Sequence, residues 1–103
     1  MNAIIEKDRT AINDLCVRYR VRRLEVFGSA TRDSFDMAQS DLDFLVEFSP
    51  MSPAQHADAF FGFLEELEQL LGLPVDLIER APIRNPYFLK SIDQTKVVLY
   101  ATA

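Results

Sequence analysis

Asp41 and Asp43 stand two residues apart in the run Ser40-Asp41-Leu42-Asp43-Phe44. If that run is extended, both side chains leave the same face, because alternate residues of a strand share a side. Their Cα atoms then lie roughly 6–7 Å apart at a rise of ~3.3 Å per residue. Two carboxylates at that spacing can grip hard cations from one direction, and a two-metal phosphoryl-transfer site holds its ions about 3.5–4 Å apart. Asp76 falls in the next extended segment and is a third candidate. It could ligate one ion and take a proton from an attacking hydroxyl. Three acids abreast on a sheet repel one another and are costly to bury. A divalent cation offsets that cost. Mg2+ is the expected one, with Mn2+ as a substitute, since carboxylate and phosphate oxygens are its preferred ligands. A lone Asp-x-Asp also suits a solvated strand end. A calcium loop is the other alternative, although Phe44 and Leu45 occupy positions where such a loop needs polar ligands and Gly.

Upstream, Gly28-Ser29-Ala30-Thr31-Arg32 follows a short apolar run and opens a predicted helical turn. Gly28 lets backbone approach a phosphate, amides at a helix start face anions, and Ser29 adds a hydroxyl. Arg32 adds a charged fork for phosphate oxygens. A Gly-Ser alone is an ordinary turn, and this is no Walker loop, because the second Gly and the Lys-Ser/Thr ending are missing. A phosphate cradle followed by paired acids is the rarer combination.

The elements that must hold these residues are legible from periodicity. Apolar Ile4, Ile5, Ile12, Leu15, Cys16 and Tyr19 recur at helical spacing and predict one amphipathic helix over residues 3–19. Residues 24–27 read as a short strand, and residues 30–39 as a helical turn and loop. Residues 42–48 form the strongest strand, apolar enough to be central and covered on both faces. Ser52-Pro53-Ala54-Gln55 reads as a capping box with Pro at the first helical position, and Gly72 followed by Pro74 as the stop. Strands follow over residues 74–78 and 95–100, with one or two helical turns near residues 87–92. Residues 41–78 suit a right-handed βαβ crossover with parallel strands. The expected fold is α/β, a single mixed sheet of about four strands with flanking helices.

The 103 residues suit one domain, residues 1–103, with no room for a second substrate domain. About half of them, 49%, are apolar, enough for one core. The net charge of −5 repels phosphate backbones, so nucleic acid is a poor partner, and a basic protein or a metal-neutralised small anion suits better. Cys16 is the single cysteine, which rules out a disulfide within the chain and makes a Cys-based zinc site implausible. The charged N-terminal residues do not suit a signal peptide, and no apolar run approaches membrane-spanning length. A reducing cytoplasm is the expected location.

At its motif residues the chain resembles a known family. Val26-Phe27-Gly28-Ser29-Ala30-Thr31-Arg32, then Ser40-Asp41-Leu42-Asp43-Phe44-Leu45-Val46, resembles the signature of minimal nucleotidyltransferases of the DNA polymerase β superfamily. Their pattern is a Gly-Ser, a short spacer and Asp-x-Asp, the spacer here being residues 30–40. Pro82-Ile83-Arg84-Asn85-Pro86-Tyr87-Phe88 and the final Val-Leu-Tyr resemble the small prokaryotic members. The resemblance implies a polymerase β palm-like fold, ATP as substrate, and Gly28 and Ser29 on the triphosphate, with the Arg32 fork read above added to them. It implies Asp41, Asp43 and Asp76 as catalytic residues and ligands of two Mg2+ ions. It also implies a partner, since many such domains resemble antitoxins paired with helical HEPN ribonuclease toxins, and some of these attach AMP to a toxin tyrosine. The implied reaction moves AMP from ATP to a hydroxyl of that partner. The alternative is a non-catalytic antitoxin that neutralises by binding alone.

Other residues have plainer readings. His56 is expected on a partly exposed helix turn and Cys16 in the core. Arg18, Arg20, Arg22 and Arg23 read as a solvated basic connection paired with nearby acids, or as a contact to phosphate or partner. Arg84 and Asn85 stand near the nucleotide, near the partner, or simply in a loop.

Overall fold

A computed structural model describes residues 3–28, 42–80 and 82–102. Ser29, Arg32 and Asp41, and the turn expected over residues 30–39, lie outside the described residues. The elements are α1 (Ala3–Lys7), α2 (Arg9–Arg18), β1 (Val21–Phe27), β2 (Leu42–Phe48), α3 (Pro53–Leu71), β3 (Val75–Glu79), α4 (Pro86–Thr95) and β4 (Val97–Ala101).

The single helix expected at the N-terminus is two. The chain kinks at Asp8 (φ −102°, ψ 16°), whose side chain makes no cap. The apolar stripe survives the kink, with Ile5 and Ile12 both fully buried one heptad apart. β1 begins earlier than expected, at Val21, after a tight turn in which Arg20 adopts a positive φ of 60°. Arg22 and Arg23 hid that start from a pattern search for apolar residues, and a register shift between Val21 and Arg23 disturbs the alternation further.

The capping signals of α3 are realised. Ser52 accepts from the Gln55 amide, Gln55 closes the box onto the Ser52 amide, and Gly72 ends the helix in the left-handed region. The last helix is longer than expected and runs over Pro86–Thr95. Asn85 starts it by accepting from the amides of Tyr87 and Phe88 at 2.9 and 3.3 Å.

Four strands form one mixed sheet in the order β3-β2-β1-β4. β2 and β3 are parallel and joined through α3, as the crossover requires, while β1 is antiparallel to both β2 and β4. The strand over residues 42–48 is central, as its apolar run demanded. On one face Leu24, Val26, Leu42, Phe44, Val46 and Leu77 meet Ile12, Cys16, Phe63 and Leu67 of the helices in the main core. On the other, Phe27 and Leu45 pack beneath Ile92 of α4 in a smaller cluster edged by Ile78 and Ile83. Residues alternating with the main-core positions therefore face the α4 side, and Asp43 and Asp76 are among them. Among the described residues no helix is long and apolar enough to cross a membrane.

Candidate active site

Asp43 is the second residue of β2 and is flanked by both neighbouring strands. Its register partner on β1 is Phe27, and its partner on β3 is Asp76. Neighbouring strands lie ~4.8 Å apart, so two carboxylates stand abreast on one face. Asp43 is half-buried and Asp76 exposed. Exposure of Asp76 follows from topology, because β3 is an edge strand. The burial cost expected for three acids on core strands is correspondingly smaller at this position. Like charges directly opposite still destabilise a sheet, and a cation bridging them is the direct remedy.

Gly28 closes β1 beside this pair. Its φ is +71°, and a Cβ built on it would lie 2.7 Å from Oδ2 of Asp43. The sequence pattern assigned Gly28 to phosphate approach. In the structure the space left by its missing side chain is taken by the Asp43 carboxylate. Its N–H donates to Oγ1 of Thr95 at 3.0 Å, and the Thr95 hydroxyl donates to the Ser91 carbonyl at 3.1 Å. Thr95 was not singled out in the sequence. No local pattern marks it, because its partner lies 67 residues away.

The floor beside the acids is aromatic. The ring of Phe27 meets that of Phe88 edge-on, with centroids 6.1 Å apart, and Phe88 and Tyr87 remain exposed on the first turn of α4. The donor set fits a hard divalent cation. Two carboxylates share one face of the sheet, and that of Asp43 occupies the place a Cβ on Gly28 would need.

The remaining candidates lie elsewhere. His56 is hydrogen-bonded to Glu79 and packed against Phe48, and Glu79 pairs with Val46 at the far end of β3 from Asp76. An open hollow of about 470 Å³ there is lined by Arg22, Glu47, His56, Glu79 and Arg80, away from the paired acids. Cys16 is core, and burial pushes its thiol up to about 12. Each cluster arginine has a protein partner: Arg18 with Glu66 at 2.9 Å, Arg22 with Glu47 at 3.5 Å, Arg23 with Glu25 at 3.2 Å, and Arg20 with the Pro50 carbonyl at 3.4 Å. Glu25, not flagged by the sequence, is the one buried acid among the described residues, held between Arg23 and Lys96. Arg84 is exposed just before the Asn85 cap.

A mixed four-stranded sheet carrying aligned acids beside a glycine turn is the architecture of a nucleotidyltransferase. The family model of the nucleotidyltransferase domain matches residues 8–99, and the chain belongs to that family. A Methanocaldococcus jannaschii protein, MJ1379, provisionally named a protein adenylyltransferase, is 35% identical over 91 residues, covering 88% of this chain and 86% of the relative. A solved structure provisionally described as a minimal nucleotidyltransferase superposes with a TM-score of 0.67 at 28% identity, covering 94% of this chain and 95% of that one. The MNT antitoxin bound to a tri-AMPylated HEPN toxin of Shewanella oneidensis superposes at 0.63, covering 94% of this chain and 72% of that one. At 16% identity, that last likeness is one of fold.

Proposed function

We propose that the chain works as one domain, residues 1–103, that transfers AMP from ATP to a hydroxyl of a partner protein, as the cytoplasmic antitoxin of a HEPN toxin pair. The observation that carries the reading is the register pairing of Asp43 with Asp76 beside the Gly28 turn. The name of the M. jannaschii relative and the AMPylated toxin in the Shewanella complex support adenylyl transfer and the partner class.

Asp41, Asp43 and Asp76 would hold two Mg2+ ions, which when bound neutralise triphosphate charge and polarise the reacting phosphoryl group. Gly28, Ser29 and Arg32 hold the triphosphate, by close backbone approach, hydroxyl and guanidinium respectively. Gly28 leaves the Asp43 carboxylate its place. Asp76, exposed at the sheet edge, accepts the proton of the acceptor hydroxyl. The acceptor oxygen bonds to the α-phosphorus, the bond from that phosphorus to the bridging oxygen breaks, and pyrophosphate leaves. In this reading the partner positions its own hydroxyl, so generic proteins are poor acceptors. The net charge of −5 steers the chain toward a basic partner surface.

The test is to co-express the neighbouring gene product with the wild-type chain or with the Asp41→Asn/Asp43→Asn double variant and weigh the intact partner. A gain of one or more AMP units with the wild type alone is the expected result. An unchanged mass, with both chains protecting cells equally, overturns transfer in favour of neutralisation by binding.

A further inference from the structure

We propose that Thr95 is a positioning residue of the transfer site: its hydroxyl latches the Gly28 turn to the end of α4 and thereby sets the place of the Asp43 carboxylate. The proposal rests on the transferase reading of that site.

Three observations carry it. The Gly28 N–H donates to Thr95 Oγ1 at 3.0 Å while the Thr95 hydroxyl donates to the Ser91 carbonyl at 3.1 Å. A hydroxyl has one proton and two acceptor lone pairs, so Thr95 spends its proton on its own helix and presents a lone pair to the β1 terminus. The two bonds run in one direction and polarise each other. Thr95 is also firmly seated. It is the last residue of α4, the Lys96 amide closes onto the Ile92 carbonyl at 2.8 Å, and Ile92 is fully buried against Phe27 and Leu45. The hydroxyl thus comes from an element fixed to the same sheet that carries Asp43.

Gly28, finally, is where small rotations matter. With φ at +71° and only 2.7 Å between a hypothetical Cβ and Asp43 Oδ2, the peptide passes close beside the carboxylate. Turning that peptide alters the clearance in which the carboxylate sits. Threonine is otherwise an indifferent choice at this point, since a back-bond to the residue four before it slightly destabilises a helix. The tertiary bond to Gly28 is what the hydroxyl adds.

The experiment compares the full chain as wild type, Thr95→Val and Thr95→Ser. It reads Gly28 amide exchange by 15N NMR, and ATP binding with Mg2+ and transfer to the co-expressed partner. Valine keeps the shape and removes the acceptor. Gly28 exchange should quicken about tenfold, the worth of one net hydrogen bond, and Mg2+-dependent affinity and transfer should fall several-fold. Serine should restore both. Thr95→Ala replaces valine if the branched side chain unseats α4. Unchanged Gly28 exchange in the valine variant overturns the latch. Faster exchange with wild-type binding and transfer overturns the positioning role. A wild-type chain that binds no ATP with Mg2+ overturns the transferase reading and the positioning role with it, and is told apart because the wild type itself is silent.

Discussion

The Oδ2 atom of Asp43 lies 2.7 Å from the point where a Cβ on Gly28 would sit, and Gly28 holds a φ of +71°. The two facts have separable consequences. A left-handed backbone costs a non-glycine residue roughly 1–2 kcal/mol. The clash is with the end of a side chain, which can rotate away at modest cost. Gly28→Ala should therefore lower the melting temperature by several degrees yet abolish Mg2+-dependent ATP binding, because the carboxylate has been turned out of place. Differential scanning calorimetry and titration of the same sample check this. A variant that binds ATP as the wild type does would show that the clearance is incidental.

Gly72 is the natural control. Its φ is also +71°, but nothing lies within 4 Å of a Cβ built there. Gly72→Ala should show the backbone cost alone, about 1 kcal/mol, with ATP binding unchanged. Ser52→Ala, which removes the accepting half of the α3 capping box, should likewise cost about 1 kcal/mol and leave binding intact. Thermal melts with and without Mg2+-ATP compare all three. If the Gly72 variant loses binding, the two glycines are not distinguished by their surroundings.

Asp43 and Asp76 face each other across β2 and β3 in register. Like charges in that arrangement repel, and a cation that bridges them offsets the repulsion. Asp43→Asn should hold or raise the melting temperature in EDTA and remove the increment that Mg2+ gives the wild type. A clear loss of stability in EDTA would make the Asp43 carboxylate a structural group.

The placement of Asp76 beside Asp43 was legible because the crossover that joins their strands is of ordinary length. The α3 boundaries were legible because Ser52, Gln55 and Gly72 act within a turn of themselves. What the sequence hid depends on distant partners. Thr95 acquires meaning only beside Gly28, and Glu25 only between Arg23 and Lys96. The early start of β1 was masked because Arg22 and Arg23 are charged, and their tips reach Glu47 and Glu25. The closeness of Gly28 to the Asp43 carboxylate rests on where β2 lies, which no window around Gly28 contains.

Cys16 is fully buried, and burial raises its thiol from 9.0 to about 12. The unfolded thiol ionises near 9.0 while the folded one stays protonated, so the unfolded chain binds fewer protons between those values. Stability is then unaffected by this group below pH 9 and falls as pH climbs toward 12. Tyr19 acts in the same direction, since its hydrogen bond to Glu66 holds its phenol above the ordinary 10.0. Guanidinium melts at pH 7.5 and pH 10 should show the decline, and Cys16→Ala should flatten part of it. In native buffer iodoacetamide should modify Cys16 only as fast as the chain opens. Rapid labelling of the folded protein contradicts the buried placement.

Asp76 and Asp43 differ in setting, and their substitutions should differ in effect. Asp43 lies on a central strand, half-buried, between Phe27 and Asp76, while Asp76 stands exposed on the edge strand. An exposed ligand can be replaced in part by water, but a base aimed at an acceptor hydroxyl cannot. Asp76→Asn should therefore keep most of its affinity for Mg2+-ATP and lose turnover by ~10²–10⁴-fold, the usual contribution of a general base. Asp43→Asn should lose affinity and turnover together. Single-turnover transfer to the co-expressed partner, with affinity measured separately by calorimetry, distinguishes the two patterns. Raising the pH from about 7 to about 9 should partly rescue the Asp76 variant, because a hydroxyl with a pKa near 10, such as a tyrosine's, becomes roughly a hundredfold more ionised without a base. Wild-type turnover from Asp76→Asn would remove this carboxylate from proton transfer and leave it, at most, a ligand.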